Sequence, residues 1–443
     1  MNVLNFFQSR RPQAPQAAPA NAVYAALDVG SSKVACFIAK TDQTIAGPRP
    51  RMVGVGHQSS RGVRGGAVVD MDAASEAIRT AVEQAERMAG QAVSAVSVSL
   101  SAGQPTSTRI AAEIDLPNRE VTARDLRRLL DGALSEFALD DRILLHAIPL
   151  SWSVDDHRGI RDPRGMYGKT LGVEVHVITA AVGPLRNLMT CVERCHLGLK
   201  AVVATPYASG LSALGDDEVK LGATLIDMGA GATTAAVFAD GALLHIDAVP
   251  VGGAHVTADV ARGLSTPLAA AERLKILYGS ALDSPDDDQQ MIEVPSVVGE
   301  EGAAYGSAPR SLLNSIIRPR LEETFELIRD RLEAAGVEDA GGRRMVLTGG
   351  AAQLPGASEL ASRVFGKQVR VAGPGGITGL GDAVAGPAFS AVSGIVRRET
   401  RGATDAISGP RVLGGGARRA ASRAGDGEVR GPAAMWRWFA ESF

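Results

Sequence analysis

The sequence predicts an α/β protein of two lobes, with an α+β unit inserted in the first lobe and an amphipathic helix at the end of a long linker. Three observations predict it. Two stretches, LDVGSSKVACFIA at 27–39 and IDMGAGATTAAVF at 226–238, repeat one pattern: an apolar strand closing on Asp-x-Gly, a turn of small residues, then a second strand. A separate run of helix and strand patterns, 103–181, lies between them. The last residues, GPAAMWRWFAESF, hold two of the three tryptophans of a chain that is only 4% aromatic.

The length of 443 residues exceeds the usual size of one domain, and 45% apolar residues suffice for sizeable cores. A net charge of −3 argues against a protein that coats nucleic acid by bulk charge, and the scarcity of aromatics argues against base-stacking platforms. The cysteines, Cys36, Cys191 and Cys195, are too few and too uneven for a disulfide framework and suit a reducing cytosol. Cys191, Cys195 and His196 lack a fourth ligand and the usual Cys-x-x-Cys hairpin, so they read as helix packing residues, not a zinc site. No apolar run reaches the roughly eighteen residues that would span a bilayer. The start, MNVLNFFQSRRPQAPQAAPA, lacks the long apolar stretch of a secretory signal, and 1–21 reads as a flexible leader.

Order is expected from 22. YAALDVGSSKVACFIAK reads as strand, turn, strand, and MVGVGHQ as a third strand. DMDAASEAIRTAVEQAERMAG is a helix that Asp72 can cap, with Ala74, Ala77, Ile78, Ala81, Val82, Ala85 and Met88 at helical spacing. AVSAVSVSL alternates as a strand. In the inserted unit, VTARDLRRLLDGALSEF is a helix capped at Thr122, and ILLHAIPLSWSVD and LGVEVHVITAAV are strands around a turn-rich loop, RGIRDPRGMYGKT. The second repeat, 221–253, is strand, turn, strand, an Asp240–Gly241 hairpin, strand. Helices are expected at about 254–278 and 310–335, with an exposed acidic loop, DSPDDDQQ, between them. RRMVLTGGAAQLPGASELASRVFG gives strand, Gly-Gly turn, helix. The ordered part is expected to close near Val396, and 397–431, without hydrophobic period, reads as a disordered linker.

The repeated turns suit phosphate. Glycine and serine let backbone N–H groups approach oxygen closely, Lys33 adds a point charge, and Asp28 and Asp227 are placed to hold a hydrated Mg²⁺. One Asp-x-Gly between strands is commonly just a tight hairpin; one in each half is a stronger signal. The Gly-Ala-Gly at 229–231 lacks the following helix that a dinucleotide fingerprint requires.

These turns, with PVGG, a helix containing ERLK, and VLTGG in that order, resemble the actin/Hsp70/sugar-kinase superfamily. IRDPRGMYG, VVATPYASGLSAL and VPVGGAHVTADVARGLSTPLAAAERLKILYG are similar to the bacterial FtsA cell-division family within it. The resemblance spans about 22–396 and the tail. It implies an actin-like two-lobed ATPase fold: 22–102 with 182–215 as first-lobe core, 103–181 inserted, 216–253 with 340–396 as second-lobe core, and 254–339 as the smaller second-lobe subdomain. It implies ATP and Mg²⁺ between the lobes. Asp28, Gly30, Ser31, Ser32 and Lys33 match the first phosphate turn; Asp227, Gly229, Gly231 and Thr233 match the second. Gly252 and Gly253 match a turn near the nucleotide, Glu272 and Lys275 a helix beside adenosine, and Gly349 and Gly350 the adenosine turn. Ala230, Ala232 and Ala235 depart from the family's second turn, and Thr205 stands where relatives often carry glutamate. No catalytic base is identified, so ATP binding is expected with weak or absent hydrolysis.

Wound as a helix at about 100° per residue, 432–443 places Met435, Trp436, Phe439 and Phe443 on one arc with Trp438 at its side. Such a stripe suits a membrane–water boundary, and the eight arginines against four acids of 397–431 suit an anionic leaflet. A helix docked on the body, or a peptide for another protein's groove, has the same pattern. The resemblance favours the membrane. It also implies a peripheral protein at the division site on the cytoplasmic face of the plasma membrane. Its implied partners are the FtsZ C-terminal peptide, further copies of itself and other division proteins. Arg310, Arg318 and Arg320 are the candidates for meeting that acidic peptide, or else form a solvated basic face. The competing readings are a scaffold of a pilus or secretion machine and a small-molecule kinase of the superfamily.

Overall fold

The computed structural model describes residues 21–44, 47–135, 141–296, 305–401 and 407–411. The membrane candidates Met435, Trp436, Trp438, Phe439 and Phe443, the leader and the linker beyond 411 lie outside the described residues.

The chain opens with β1 (Val23–Val29), β2 (Lys33–Thr44), β3 (Gly47–Ser59) and the short pair β4 (Val63–Arg64) and β5 (Ala67–Val68). Helix α1 (Met71–Ala89) follows, capped by Asp70 and not by the expected Asp72: the Asp70 side chain accepts from the N–H groups of Asp72 and Ala73. Its Ala74, Ala77, Ile78, Ala81, Val82 and Ala85 are buried, as their spacing predicts, but Met88, expected on the same stripe, is exposed. Strand β6 (Ala95–Leu100) leads into the inserted unit: β7 (Thr106–Glu120), α2 (Ala123–Ser135), β8 (Arg142–Val154), β9 (His157–Ile160) and β10 (Tyr167–Ala181). Strand β7, TSTRIAAEIDLPNRE, is a long strand that the sequence does not announce, because most of its side chains are exposed or half-buried. Helix α3 (Val182–Arg194), β11 (Gly198–Ala204) and α4 (Thr205–Ala213) return to the first lobe.

A short helix α5 (Asp216–Leu221) precedes β12 (Ala223–Met228), β13 (Thr233–Ala239) and β14 (Ala242–Val249). The helical stretch at 254–278 is two helices, α6 (Gly253–Gly263) and α7 (Leu268–Tyr278), divided before Pro267. Then come β15 (Met291–Pro295), β16 (Tyr305–Pro309), α8 (Arg310–Ala334), β17 (Arg344–Thr348), a 3₁₀ turn at Gly350–Gln353, α9 (Ala357–Phe365) and β18 (Gln368–Val371). The acidic loop before β15 is not simply exposed. Asp287 is buried, accepting from Asn314 Nδ2 at 2.8 Å and pairing with Arg310 at 3.2 Å.

The two halves have one topology. The first-lobe sheet runs β11-β6-β1-β2-β3, the second β18-β17-β12-β13-β14. In each, three parallel strands continue into two antiparallel ones through the Asp-x-Gly hairpin. The inserted unit has its own sheet, with Leu129 and Leu134 of α2 packed against Leu144 and Val175 in a separate core.

Two expectations near the end are corrected. The sequence reading closes the ordered part near Val396 and opens a linker at 397. Helix α10 instead spans Ser390–Arg401, and β19 (Ile407–Arg411) pairs antiparallel with β8 of the inserted sheet. An edge strand is held by backbone bonds and needs no hydrophobic period. The reading also assigns 340–396 to the second lobe. Phe389, Val392, Ile395 and Val396 belong to the first-lobe core, with the Phe389 and Phe37 rings stacked 5.9 Å apart. Hydrophobic spacing tells which face of a helix is buried, not which lobe receives it.

Candidate functional site

The two hairpins close identically. The Gly30 N–H donates to the Lys33 carbonyl at 3.0 Å, and the Gly229 N–H donates to the Ala232 carbonyl at 3.0 Å. Asp28 lies opposite Ala35 and Asp227 opposite Thr234, each one residue before the end of its strand. The hairpins face each other across one cavity of about 570 Å³. A Cβ on Gly231 would stand 2.5 Å from Ser31 Oγ and 2.8 Å from Gly65 Cα, so the second turn, the first turn and the β4–β5 tip meet in a contact only a hydrogen can occupy. Ser31 Oγ accepts from the Gly66 N–H at 2.9 Å, fixing that tip over the first turn.

Each aspartate has one oxygen committed. Ser99 donates to Asp28 Oδ1 and Ser209 to Asp227 Oδ2. Both residues line the cavity. Burial pushes the Asp227 carboxyl up to about 6, with Asp28 adding to the rise and the Ser209 bond opposing it. Two carboxylates converging on one cavity, one of them buried at an energetic cost, suit a divalent cation held through its water shell. Lys33 donates to the Ala388 carbonyl and stands 4.7 Å over the Phe389 ring, at the cavity wall.

Across the cavity, Lys275 on α7 donates to Glu272 Oε2 at 2.7 Å, Thr257 Oγ1 at 2.8 Å and the Gly253 carbonyl at 3.1 Å. Gly349 and Gly350, with Gln353 and Leu354 behind them, form the facing wall. Gly349 has φ +87°, and a Cβ there would stand 2.4 Å from Asp227 Oδ1. Backbone N–H groups at two tight turns, two carboxylates, an ammonium, and a half-apolar wall beside a Glu–Lys pair together suit a nucleoside polyphosphate with Mg²⁺.

Thirteen of the fifteen residues expected at the nucleotide line this cavity: Asp28, Gly30, Ser31, Ser32, Lys33, Asp227, Gly229, Gly231, Gly253, Glu272, Lys275, Gly349 and Gly350. Thr233 and Gly252 do not. Thr233 is buried and donates to the Val251 carbonyl at 2.8 Å; its neighbour Thr234 lines the cavity instead. Gly252 lies against the second turn, where a Cβ would be 2.5 Å from the Gly229 carbonyl oxygen. Among the other lining residues are Gly66, Gln353, Leu354 and Ala388, which the sequence motifs do not single out. Of these only Gly66 carried a signal, the Gly-Gly pair of RGVRGG. Thr205, at the glutamate position, lines the cavity, and its hydroxyl is buried without a hydrogen-bond partner.

The partner arginines are already engaged. Arg310 pairs with Asp287 and donates to the Tyr278 carbonyl, Arg318 meets Asp283 at 2.6 Å, and Arg320 meets Asp259 and Glu323 at 2.5 Å. All three are thus ion-paired within the chain. Cys36 and Cys191 are buried, Cys195 is half-buried, and no metal-binding cluster occurs among the described residues.

A family model for the cell division protein FtsA matches residues 224–394, and one for the SHS2 domain inserted in FtsA matches 102–179. A cell division protein FtsA of Rhizobium meliloti (strain 1021) is 47% identical over 381 residues, covering 84% of this chain and 86% of that protein. Among solved structures, a PilM–PilN type IV pilus biogenesis complex aligns with a TM-score of 0.61 at 16% identity, over 86% of this chain and 99% of that one. MreB5 of Spiroplasma citri bound to ADP aligns with a TM-score of 0.51 at 12% identity, over 86% and 99% of the two chains. At such identities these two structures establish the actin-like fold alone.

Proposed function

The chain belongs to the FtsA family of cell division proteins, and from that premise we propose that it binds ATP between its lobes, assembles with copies of itself and tethers the FtsZ ring to the cytoplasmic face of the plasma membrane. The observation that carries the nucleotide part is the pair of equivalent Asp-x-Gly turns facing one cavity. Asp28 and Asp227 would hold Mg²⁺ through water, and Lys33 and the turn N–H groups would take the phosphates. Glu272, Lys275, Gly349 and Gly350 would flank adenosine. When bound, ATP supplies the phosphate charge that both turns can share. The residues of both lobes then contact one ligand, which favours the closed arrangement.

Hydrolysis is expected to be slow. The carboxylates of the cavity have other roles: Asp28 and Asp227, held by Ser99 and Ser209, are assigned to Mg²⁺, and Glu272 is engaged by Lys275 and Thr257. Thr205, with no carboxylate, cannot serve as general base. Nucleotide would therefore bias assembly more than drive turnover.

Membrane attachment is assigned to Met435, Trp436, Trp438, Phe439 and Phe443. Each large side chain contributes about 1.5–3 kcal/mol before the cost of ordering the segment, so one tail binds reversibly and a polymer of tails binds by avidity. The FtsZ peptide is assigned to the smaller second-lobe subdomain, where Ile276, Leu277, Tyr278 and Leu312 are exposed beside Arg310 and Arg318. The exposed Arg318–Asp283 pair is the kind an acidic peptide displaces at little cost. Liposome co-sedimentation of the full chain and of a chain ending at Gly431, with and without ATP, tests the tethering. Only the full chain should pellet, and more of it with ATP. Equal pelleting of the two chains would remove the tail as anchor.

A further inference from the structure

A second cavity, of about 440 Å³, lies away from the nucleotide site, between α4, the β13–β14 hairpin, β8 and α10. Its wall is apolar, with Tyr207, Leu211, Phe238 and Ile148, and its charged lining is four cations, Lys220, Arg397, Arg398 and Arg401, against one acid, Asp216. This volume falls within the range of small-ligand and side-chain pockets. Arg397 is 93% removed from solvent, being 7% exposed, and among the described residues no carboxylate lies within 4.0 Å of it; Asp216 acts on it only from farther away. Its NH1 donates to the Ser212 carbonyl at 3.3 Å. Burial brings its guanidinium down to about 10; Arg401 adds to the fall and Asp216 opposes it. Arg401 itself only approaches the exposed Asp216, at 3.5 Å. A buried guanidinium on an apolar pocket is suited to a carboxylate carried beside large apolar side chains.

We propose that this cavity is a docking site for the chain's own segment Trp436–Phe443, which the membrane competes to bind. Where the described chain stops supports that occupant. Strand β19 ends at Arg411, opposite Leu144 of β8, the same strand that brings Ile148 to the cavity. Four residues of strand separate the two points, roughly 13 Å. Residues 412–435, rich in glycine, alanine and arginine, intervene before Trp436. Twenty-four residues are enough chain to cover that distance: a flexible segment of that length would span roughly 25–30 Å, corresponding to a local concentration on the order of millimolar. The segment supplies both chemistries: Trp436, Trp438 and Phe439 for the wall and Glu441 for Arg397. The leader MNVLNFF is apolar but has no acid.

A docked tail is withheld from lipid. The vesicle affinity of the full chain is then reduced by the docked fraction, and anything that opens the cavity raises it. This competition rests on the tail being the anchor; the docking itself does not.

The test uses the full chain with Lys220→Cys at the cavity rim and Ser442→Cys in the tail. Mild oxidation should give an intramolecular cross-link that exceeds, by about tenfold, the yield from Asp131→Cys with Ser442→Cys, a control pair on an exposed face of α2. Anionic phosphatidylglycerol vesicles should lower the cross-link several-fold. Arg397→Met, or the milder Arg401→Ala should the buried change impair folding, should lower the cross-link and raise vesicle affinity by up to about tenfold. A yield no higher than the control pair overturns the docking, as does a stronger cross-link from Asn2→Cys in the leader. A cross-link that forms yet ignores vesicles, while the full chain and the chain ending at Gly431 sediment alike, leaves docking standing and removes the membrane reading.

Discussion

Gly349 joins the two halves of the nucleotide site through a single missing side chain. It follows β17, the parallel neighbour of the strand that carries Asp227, and its φ of +87° is one that L-residues adopt with strain. A Cβ there would meet Asp227 Oδ1 at 2.4 Å and the Met228 carbonyl oxygen at 2.5 Å. Gly349→Ala must move either the adenosine turn or the aspartate. The strain alone costs on the order of 1–3 kcal/mol. We expect affinity for a non-hydrolysed ATP analogue to fall at least tenfold by calorimetric titration, with the far-ultraviolet circular dichroism unchanged; an unaltered affinity would sink the assignment. At this scale much of the site was legible, because aspartate and glycine at fixed places in a hairpin have few other uses. Thr233 shows the limit. Adjacent strand residues point to opposite faces, and Thr233–Thr234 offers the same side chain to both. Only the register with β12 and β14 decides that Thr234 faces the cleft.

Helix α10 was the element least legible in the sequence. Its apolar half, Ser390–Val396, packs on α4 and the first-lobe strands, while Arg397 and Arg398 are buried and Glu399 is half-buried although they read as solvated charge. Lys200 pairs with Glu399, and the Ser97 hydroxyl donates to it at 2.9 Å. Partners from distant chain segments make the charged turn part of the core, and no local pattern reveals such partners. The hairpins, by contrast, carry their hydrogen-bond closure in their own residues and were legible. Gly394 sets the approach of α10 to α4: a Cβ there would be 1.7 Å from the Ala208 carbonyl oxygen, a backbone atom that cannot step aside. Gly394→Ala should therefore destabilise the protein by about 1–3 kcal/mol, as overpacking does, and loosen α10. Gly183→Ala, with nothing within 4 Å of the added methyl, should be neutral or mildly stabilising. Urea unfolding of both variants checks this, and equal midpoints would contradict the packing described here.

The inserted unit is fastened to both lobes, and one fastening is sensitive to acid. His176 on β10 is buried, with Nδ1 2.9 Å from the Leu243 carbonyl of β14 and Nε2 2.8 Å from Ser107 Oγ on β7. The carbonyl can only accept, so the proton sits on Nδ1 and Nε2 accepts from the Ser107 hydroxyl. The serine oxygen in turn accepts from the Ile246 N–H at 2.7 Å, a second tie to β14. Burial is the main cause that brings the imidazole down to about 3; the Leu243 bond opposes it, and His245, Arg109 and His146 add to the fall. The folded state thus refuses a proton that the unfolded chain takes up near pH 6.5. Stability is complete above that value and falls as the pH drops toward about 3, by about 1.4 kcal/mol per unit. Between pH 7.5 and 5.0 the loss due to this one ring is about 2 kcal/mol. His176→Asn keeps a donor for Leu243 but cannot titrate. It should be less stable at pH 7.5 yet lose less on acidification, and urea unfolding at the two pH values measures the difference. Equal losses in the two proteins would show that His176 does not tie acid sensitivity to the junction between the inserted unit and the second lobe.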